Sequence, residues 1–254
     1  MPRSPIQIIT LPGLPEVSPG DDLARLITEA VRQNELLIAA GDIFVVAHKI
    51  VSKSEGRIVR LDTINPSERA RQWAAEYHKD SRLIELVLRE ARRILKMERG
   101  VIVAETSHGF VCANAGVDGS NTAEDTAILL PEDPDRSAKQ LHNLLTKTYG
   151  MPLGVIISDT FGRPWREGLV NVALGTAGIA PLIDYRGQKD ASGKILQATL
   201  IALGDEIASA AELVMGKSDG VPVAILKGIQ GVQAGPQSLG AKELIRPVER
   251  DIFR

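Results

Sequence analysis

Two carboxylates stand out because each follows an apolar run. The segment from Val111 to Val117 leads into Asp118-Gly119-Ser120-Asn121, and Ile156-Ile157-Ser158 leads into Asp159-Thr160-Phe161-Gly162-Arg163-Pro164-Trp165-Arg166. Polar groups at the ends of buried strands stand on a rigid base, where sites tend to form. An Asp carboxylate and a Thr hydroxyl are hard oxygen ligands suited to Mg²⁺ or Mn²⁺. Arg163 and Arg166 offer planar forks for phosphate or carboxylate. Asp118 and Asn121 are equally readable as an Asx-turn closing a hairpin, and the arginines as solvated. Trp165 is expected to be a packing anchor.

A third segment, Val45-Val46-Ala47-His48-Lys49-Ile50-Val51-Ser52-Lys53, carries a buried strand out into Lys49 and Lys53 with His48 beside them. Ammonium groups at a strand end suit phosphate as point charges, although such lysines are more often simply solvated. A fourth, Met215-Gly216-Lys217-Ser218-Asp219, contains Gly-Lys-Ser. It is not a phosphate-binding P-loop: the motif's first glycine would fall at Ala211, and the string ends a helix instead of opening one. A glycine cap at a helix C-terminus is its default reading.

Other chemistries find little support. There is one cysteine, Cys112, so neither an internal disulfide nor a cysteine-paired zinc site is available. Cys112 reads as a small buried residue in a reducing compartment. No Gly-x-Ser-x-Gly elbow occurs. His78 and His142 fall on expected helices and His108 in a turn. A net charge of -2 over 254 residues argues against a nucleic-acid binder. No run reaches the roughly 18 apolar residues of a membrane span, and the Pro-rich start does not resemble a signal peptide. A cytoplasmic protein is expected.

The elements that must position these residues alternate without a regular βαβ rhythm, and no dinucleotide-type glycine fingerprint is present. An α+β fold with mostly antiparallel sheets is expected over a doubly wound one. Strands are expected at 6–9, 43–47, 101–105, 109–113, 153–158, 195–202 and 221–226. Helices are expected from Asp21 or Asp22, from the Asn65-Pro66-Ser67-Glu68 start with Asn65 as cap, and over about 81–95, 137–149 and 205–215. With 44% hydrophobic residues the chain can bury a sizeable core without disulfides or metal.

Taken together, the ordered segments resemble the coenzyme F420-0:L-glutamate ligase family. The markers are Gly13-Leu14-Pro15-Glu16, Gly20-Asp21-Asp22-Leu23, Val51 to Arg57, Asn65 to Ala70, Asn114 to Asn121, Ser158 to Arg163, Asp205 to Ala208 and Met215-Gly216. The resemblance runs to about Val232. It implies a GTP-dependent transfer of L-glutamate to F420-0, then γ-linked to the product, with Mn²⁺ or Mg²⁺ and possibly K⁺. It implies an intertwined homodimer and a single ligase domain over 1–254, without the reductase-like second half of the bacterial enzyme. By motif, Leu14, Pro15, Glu16, Val17, His48, Lys53 and Asn121 border the nucleotide, together with the stretch Met215, Gly216, Lys217, Ser218 and Asp219. Asp118 and Asp159 match metal ligands, and Thr160 a ligand of a second metal. Many relatives carry Ser where this chain has His48. The acceptor is F420-0 or its dehydro form. Lys53 and Arg163 are the expected cations at the reacting groups, Arg163 from its charge alone. A metal-dependent phosphohydrolase, a non-catalytic GTP-binding regulator, or a family ligase acting on another carboxylate are the competing readings.

Overall fold

An unbroken apolar strand such as Ile43-Phe44-Val45-Val46 must be covered on both faces, and the fold is organised around that requirement. The computed structural model describes residues 5–120, 123–229, 235 and 237–251. In chain order the elements are β1 (Gln7–Thr10), α1 (Leu23–Gln33), β2 (Ile43–Ala47), α2 (His48–Ser54), β3 (Ile58–Arg60), α3 (Glu68–Tyr77), α4 (Ser81–Glu90), β4 (Ala91–Glu98) and β5 (Val101–Thr106). They continue with β6 (Val111–Ala113), β7 (Thr126–Ile128), α5 (Pro134–Tyr149), β8 (Gly154–Arg163), β9 (Arg166–Ala177), β10 (Ile183–Asp184), β11 (Leu200–Ile201), α6 (Leu203–Met215) and β12 (Val223–Lys227).

The main sheet has the order β1-β12-β2-β8-β9. Only β2 and β8 run parallel; the other pairs are antiparallel. Alternate residues face opposite sides. Phe44, Val46, Val155 and Ile157 therefore pack with Leu26 and Ile27 of α1 and Leu141 and Leu145 of α5. Ile43, Val45 and Ile156 pack with Leu203, Ile207 and Ala211 of α6 on the far side. The result is a helix–sheet–helix sandwich of mixed α+β class, as expected. A separate cluster joins Trp73 of α3, Ile84 and Val87 of α4 and Ile102 of β5 over the small sheet β4-β5-β6. Among the described residues no helix is long and apolar enough to cross a membrane.

Several local expectations are corrected. The helix expected over 81–95 ends at Glu90, and 91–98 is strand β4. Arg99 and Gly100, at φ 51° and 77°, form the tight turn that pairs β4 with β5, so strand pairing outweighs local helix preference. The α3 cap is Ser67, whose hydroxyl accepts from Ala70 N, not Asn65. The strand expected at 153–158 runs on to Arg163 as one arm of a hairpin with β9. Asp159 and Thr160 therefore lie within a strand and not at its end. Trp165 sits at the hairpin tip, 81% exposed, instead of anchoring a core. The chain after β2 winds at once into α2, so Lys49 and Lys53 are helical. The strand expected at 109–113 forms over Val111–Ala113, and past it the apolar run continues to Val117 through a short turn with Asn114, Ala115 and Gly116 all at positive φ. Of the strand expected at 195–202, only Leu200–Ile201 forms.

Candidate active site

The parallel pairing of β2 with β8 sets Ala47 opposite Ser158. Each chain then takes one more step, to His48 and to Asp159. The two side chains meet with His48 Nε2 3.3 Å from Asp159 Oδ1. His48 is buried. Its Nδ1 lies 3.5 Å from Ser52 Oγ, one helical turn on in α2. Nε2–H can donate to Asp159 while Nδ1 meets the Ser52 hydroxyl, which can either donate or accept.

The next residue, Lys49, turns to the other carboxylate. Its Nζ lies 2.8 Å from Asp118 Oδ2 and donates to Ser120 Oγ at 3.0 Å. Ser120 N donates to Asp118 Oδ1 at 2.6 Å. Asp118 is anchored through its backbone, which exchanges two hydrogen bonds with Ile128. Consecutive residues of α2 thus draw Asp159 and Asp118 to one place. The charge of Asp118 pushes the Asp159 carboxyl upward, the least of the influences on that acid.

Burial alone would raise both acids. Hydrogen bonds from Lys49 and Ser120 outweigh it at Asp118 and hold that carboxyl below the usual range. At Asp159, burial is likewise outweighed by the charge and hydrogen bond of His48, and the carboxyl stays low. Both are therefore anions at neutral pH. Cys112, nearby, is pushed up to about 12 by burial and by Asp159, so its thiol stays protonated and is no nucleophile.

Two of the expected nucleotide-bordering groups also meet. Lys53, four residues after Lys49, donates to Glu16 Oε1. Val17 is buried and Leu14 packs against the core of α1 and α5, which leaves Pro15 and Glu16 exposed between two anchors.

Thr160 is placed elsewhere. As Asp159's neighbour on a strand it faces the opposite side. Its Oγ1 donates to Asn171 Oδ1 at 2.6 Å and accepts from Lys217 Nζ. Lys217 Nζ is also 2.9 Å from Glu212 Oε1, and Asn171 Nδ2 donates to Glu212 Oε2 at 2.8 Å. Thr160 and Lys217, both expected in the site, come together, but apart from the Asp118–Asp159 pair. Met215 is buried against the sheet, so its side chain serves packing. Gly216 caps α6 as expected, at φ 60°. Ser218 and Asp219 follow in the exposed turn, the Ser218 hydroxyl 3.4 Å from Asp219 Oδ1. Arg163 is not brought to the carboxylates: it lies four strand residues beyond Asp159, roughly 13 Å, and donates to Glu167 O at the hairpin tip. Asn121 lies outside the described residues.

Lys49, Asn171 and Glu212 are parts of these clusters that sequence reasoning passed over or left unassigned. The signal for Asn171 was a lone amide inside the apolar run Leu169-Val170-Asn171-Val172-Ala173, opposite Thr160 in the hairpin register.

Among the described residues no group of three or more His, Cys, Asp or Glu is arranged to hold a metal. Asp118 and Asp159 nonetheless fit an ion of the Mg²⁺ class. Such ions take one or two protein carboxylates and fill their remaining positions with water and phosphate oxygens. The ammonium of Lys49, already on Asp118, shows that this carboxylate accepts a cation at contact distance. Thr160 does not share that place; its hydroxyl lies with Asn171, Lys217 and the carboxylate of Glu212.

The description "F420-0:Gamma-glutamyl ligase" belongs to the family model that matches residues 13–228. The chain is 47% identical over 243 residues to the coenzyme F420:L-glutamate ligase of Methanopyrus kandleri, covering 94% of each chain. It is 46% identical over 250 residues to that of Methanothermobacter thermautotrophicus, covering 98% of this chain and 99% of the relative. With the Methanocaldococcus jannaschii ligase it shares 43% identity over 231 residues, 89% of this chain and 91% of the relative. Identity of this depth over nearly the whole length leaves one assignment: the chain belongs to the F420-0:gamma-glutamyl ligase family.

Proposed function

We propose that this protein joins L-glutamate to the carboxylate of F420-0 at the expense of GTP, and then adds further glutamate through the γ-carboxylate. The observation that carries the reading is the convergence of Asp118 and Asp159 on the consecutive residues Lys49 and His48. The names of the relatives support the substrates.

A carboxylate oxygen is a poor leaving group, so the acceptor must be activated. In the proposed sequence an acceptor carboxylate oxygen attacks the γ-phosphorus. The bond from that phosphorus to the β,γ-bridging oxygen breaks, and GDP departs. The amine nitrogen of glutamate then attacks the acyl carbon. The carbon–oxygen bond to phosphate breaks, and the amine proton leaves with the phosphate. A divalent ion bound by Asp118 and Asp159 supplies screening of the negative charge that gathers on the phosphoryl group. Lys53, held in place by Glu16, contributes a fixed positive charge for the phosphates. Lys49, whose ammonium lies between Asp118 and Ser120, adds positive charge beside that carboxylate. His48 holds Asp159 ionised and in one orientation. The exposed apolar side chains of the β8–β9 hairpin, Trp165 and Leu169, support a second copy of the chain as partner.

The test is incubation with GTP, Mn²⁺, L-glutamate and F420-0, followed by mass analysis. A product heavier by one glutamyl unit, with GDP and phosphate released only when glutamate and F420-0 are both present, is the expected result. GTP turnover at the full rate without glutamate would make the protein a phosphohydrolase instead.

A further inference from the structure

A cavity of about 240 Å³ opens beside Asp159, lined by Phe110, Phe161, Val172, Asp205, Ile245 and Arg246 among others. Phe161 is two residues from Asp159 on β8, roughly 6.6 Å along the strand and on the same face. Val172 is the cross-strand partner of Asp159. The cavity is thus a direct neighbour of the carboxylate pair. Its aromatic wall is ordered: Phe110 meets Phe161 edge to face at 6.2 Å, and His108 stacks on Phe110 at 5.7 Å.

Two acids, Asp205 and Asp251, line this largely apolar space. Asp205 Oδ1 accepts a hydrogen bond from Ala173 N at 2.9 Å. Among the described residues its second oxygen has no hydrogen-bond partner. Burial, opposed only by the Ala173 bond, raises the Asp205 carboxyl above its ordinary value. The second carboxylate oxygen of Asp205 is left to the cavity, where a ligand N–H can donate to it.

We propose that this cavity receives the flat deazaflavin ring of the acceptor, with a ring N–H donated to Asp205 and the acceptor's carboxylate end extending to Asp159. The inference rests on the ligase reading above for the identity of the acceptor. The volume supports one end of a ligand, since pockets enclosing a whole drug-sized molecule run to roughly 300–1,000 Å³. Aromatic walls favour a planar conjugated ring over a sugar or an aliphatic chain.

The experiment is direct binding of F420-0, followed by the fluorescence of its deazaflavin ring and separate from turnover, with GTP binding as the control. Phe161→Ala is expected to weaken F420-0 binding about tenfold or more, the scale of losing one stacking aromatic, while GTP binding stays at the wild-type value. Phe161→Tyr is expected to retain affinity. Val172→Trp, which fills the cavity, is expected to abolish binding; thermal melting checks that each variant folds. Asp205→Asn keeps an acceptor for Ala173 N but can turn an N–H toward the ring, and is expected to weaken binding several-fold. Wild-type affinity in Phe161→Ala and in whichever of the other variants fold, or no F420-0 binding by the wild type, would overturn the inference. Should the wild type bind F420-0 and these variants lose it, while no glutamate is ever added, the cavity stands and the ligase reading falls.

Discussion

Asp159 and Thr160 are adjacent on β8, yet they belong to two unlike clusters. On one face Asp159 meets His48, and through α2 the Lys49–Asp118 pair. On the other, Thr160 joins Asn171, Lys217 and Glu212 between β9 and α6. The sequence offered both as hard oxygen ligands, Asp159 for one metal and Thr160 for a second. The pleat of a strand separates them, because side chains one residue apart leave opposite faces. What distinguishes the faces is the balance of charge. The first holds two carboxylates against one lysine and a histidine; the second holds one carboxylate and one ammonium already matched to each other.

That difference orders the expected effects of substitution. Asp159→Asn and Asp118→Asn should cost the most. Ligation is expected to fall on the order of 100- to 1,000-fold, as when one preorganised charge at a transition state is lost, measured as kcat with thermal melting as the fold control. His48→Ala should cost less, about 10- to 100-fold, because His48 orients Asp159 without touching phosphate. Thr160→Ala should be smaller again. Losing its hydrogen bond is expected to lower stability by about 1 kcal/mol and ligation by less than about tenfold, seen in a denaturant melt and in kcat/KM. A Thr160→Ala defect as large as that of Asp159→Asn would break the distinction between the faces.

The smallest expected effect sharpens it. Asp118 is held low against its burial chiefly by the Lys49 hydrogen bond. In Lys49→Met that support goes, and the Asp118 carboxyl rises. The acid limb of the pH–rate profile is therefore expected to move to higher pH. The stability Asp118 contributes is present above the ordinary carboxylate range and is lost as pH falls through its depressed folded value. Wild type and Lys49→Met should differ in melting temperature most above about pH 4 and converge in stronger acid.

The strands that carry a continuous apolar run were legible in the sequence. Ile43–Ala47 matches to the residue, and the strand near 221–226 lies within two residues. So were the helices with an apolar face, such as α1, and the glycine stop of α6. What could not be read was anything decided by a distant partner. Residues 91–98 take strand form because β5 lies beside them, and residues 159–163 extend β8 because β9 pairs with them. The site divides the same way. Asp118, Asp159, Lys53 and Glu16 could be named from their types and motifs. That His48 belongs to Asp159, Lys49 to Asp118 and Lys217 to Thr160 follows from the parallel β2–β8 register and the packing of α6, which no local pattern encodes.

The most direct measurement is a Mn²⁺ titration in the presence of GTP, with free Mn²⁺ followed by its electron paramagnetic resonance signal. Asp118→Asn and Asp159→Asn are each expected to weaken Mn²⁺ binding at least about tenfold, with Thr160→Ala close to wild type. Equal Mn²⁺ affinity in wild type and both aspartate variants would contradict the account.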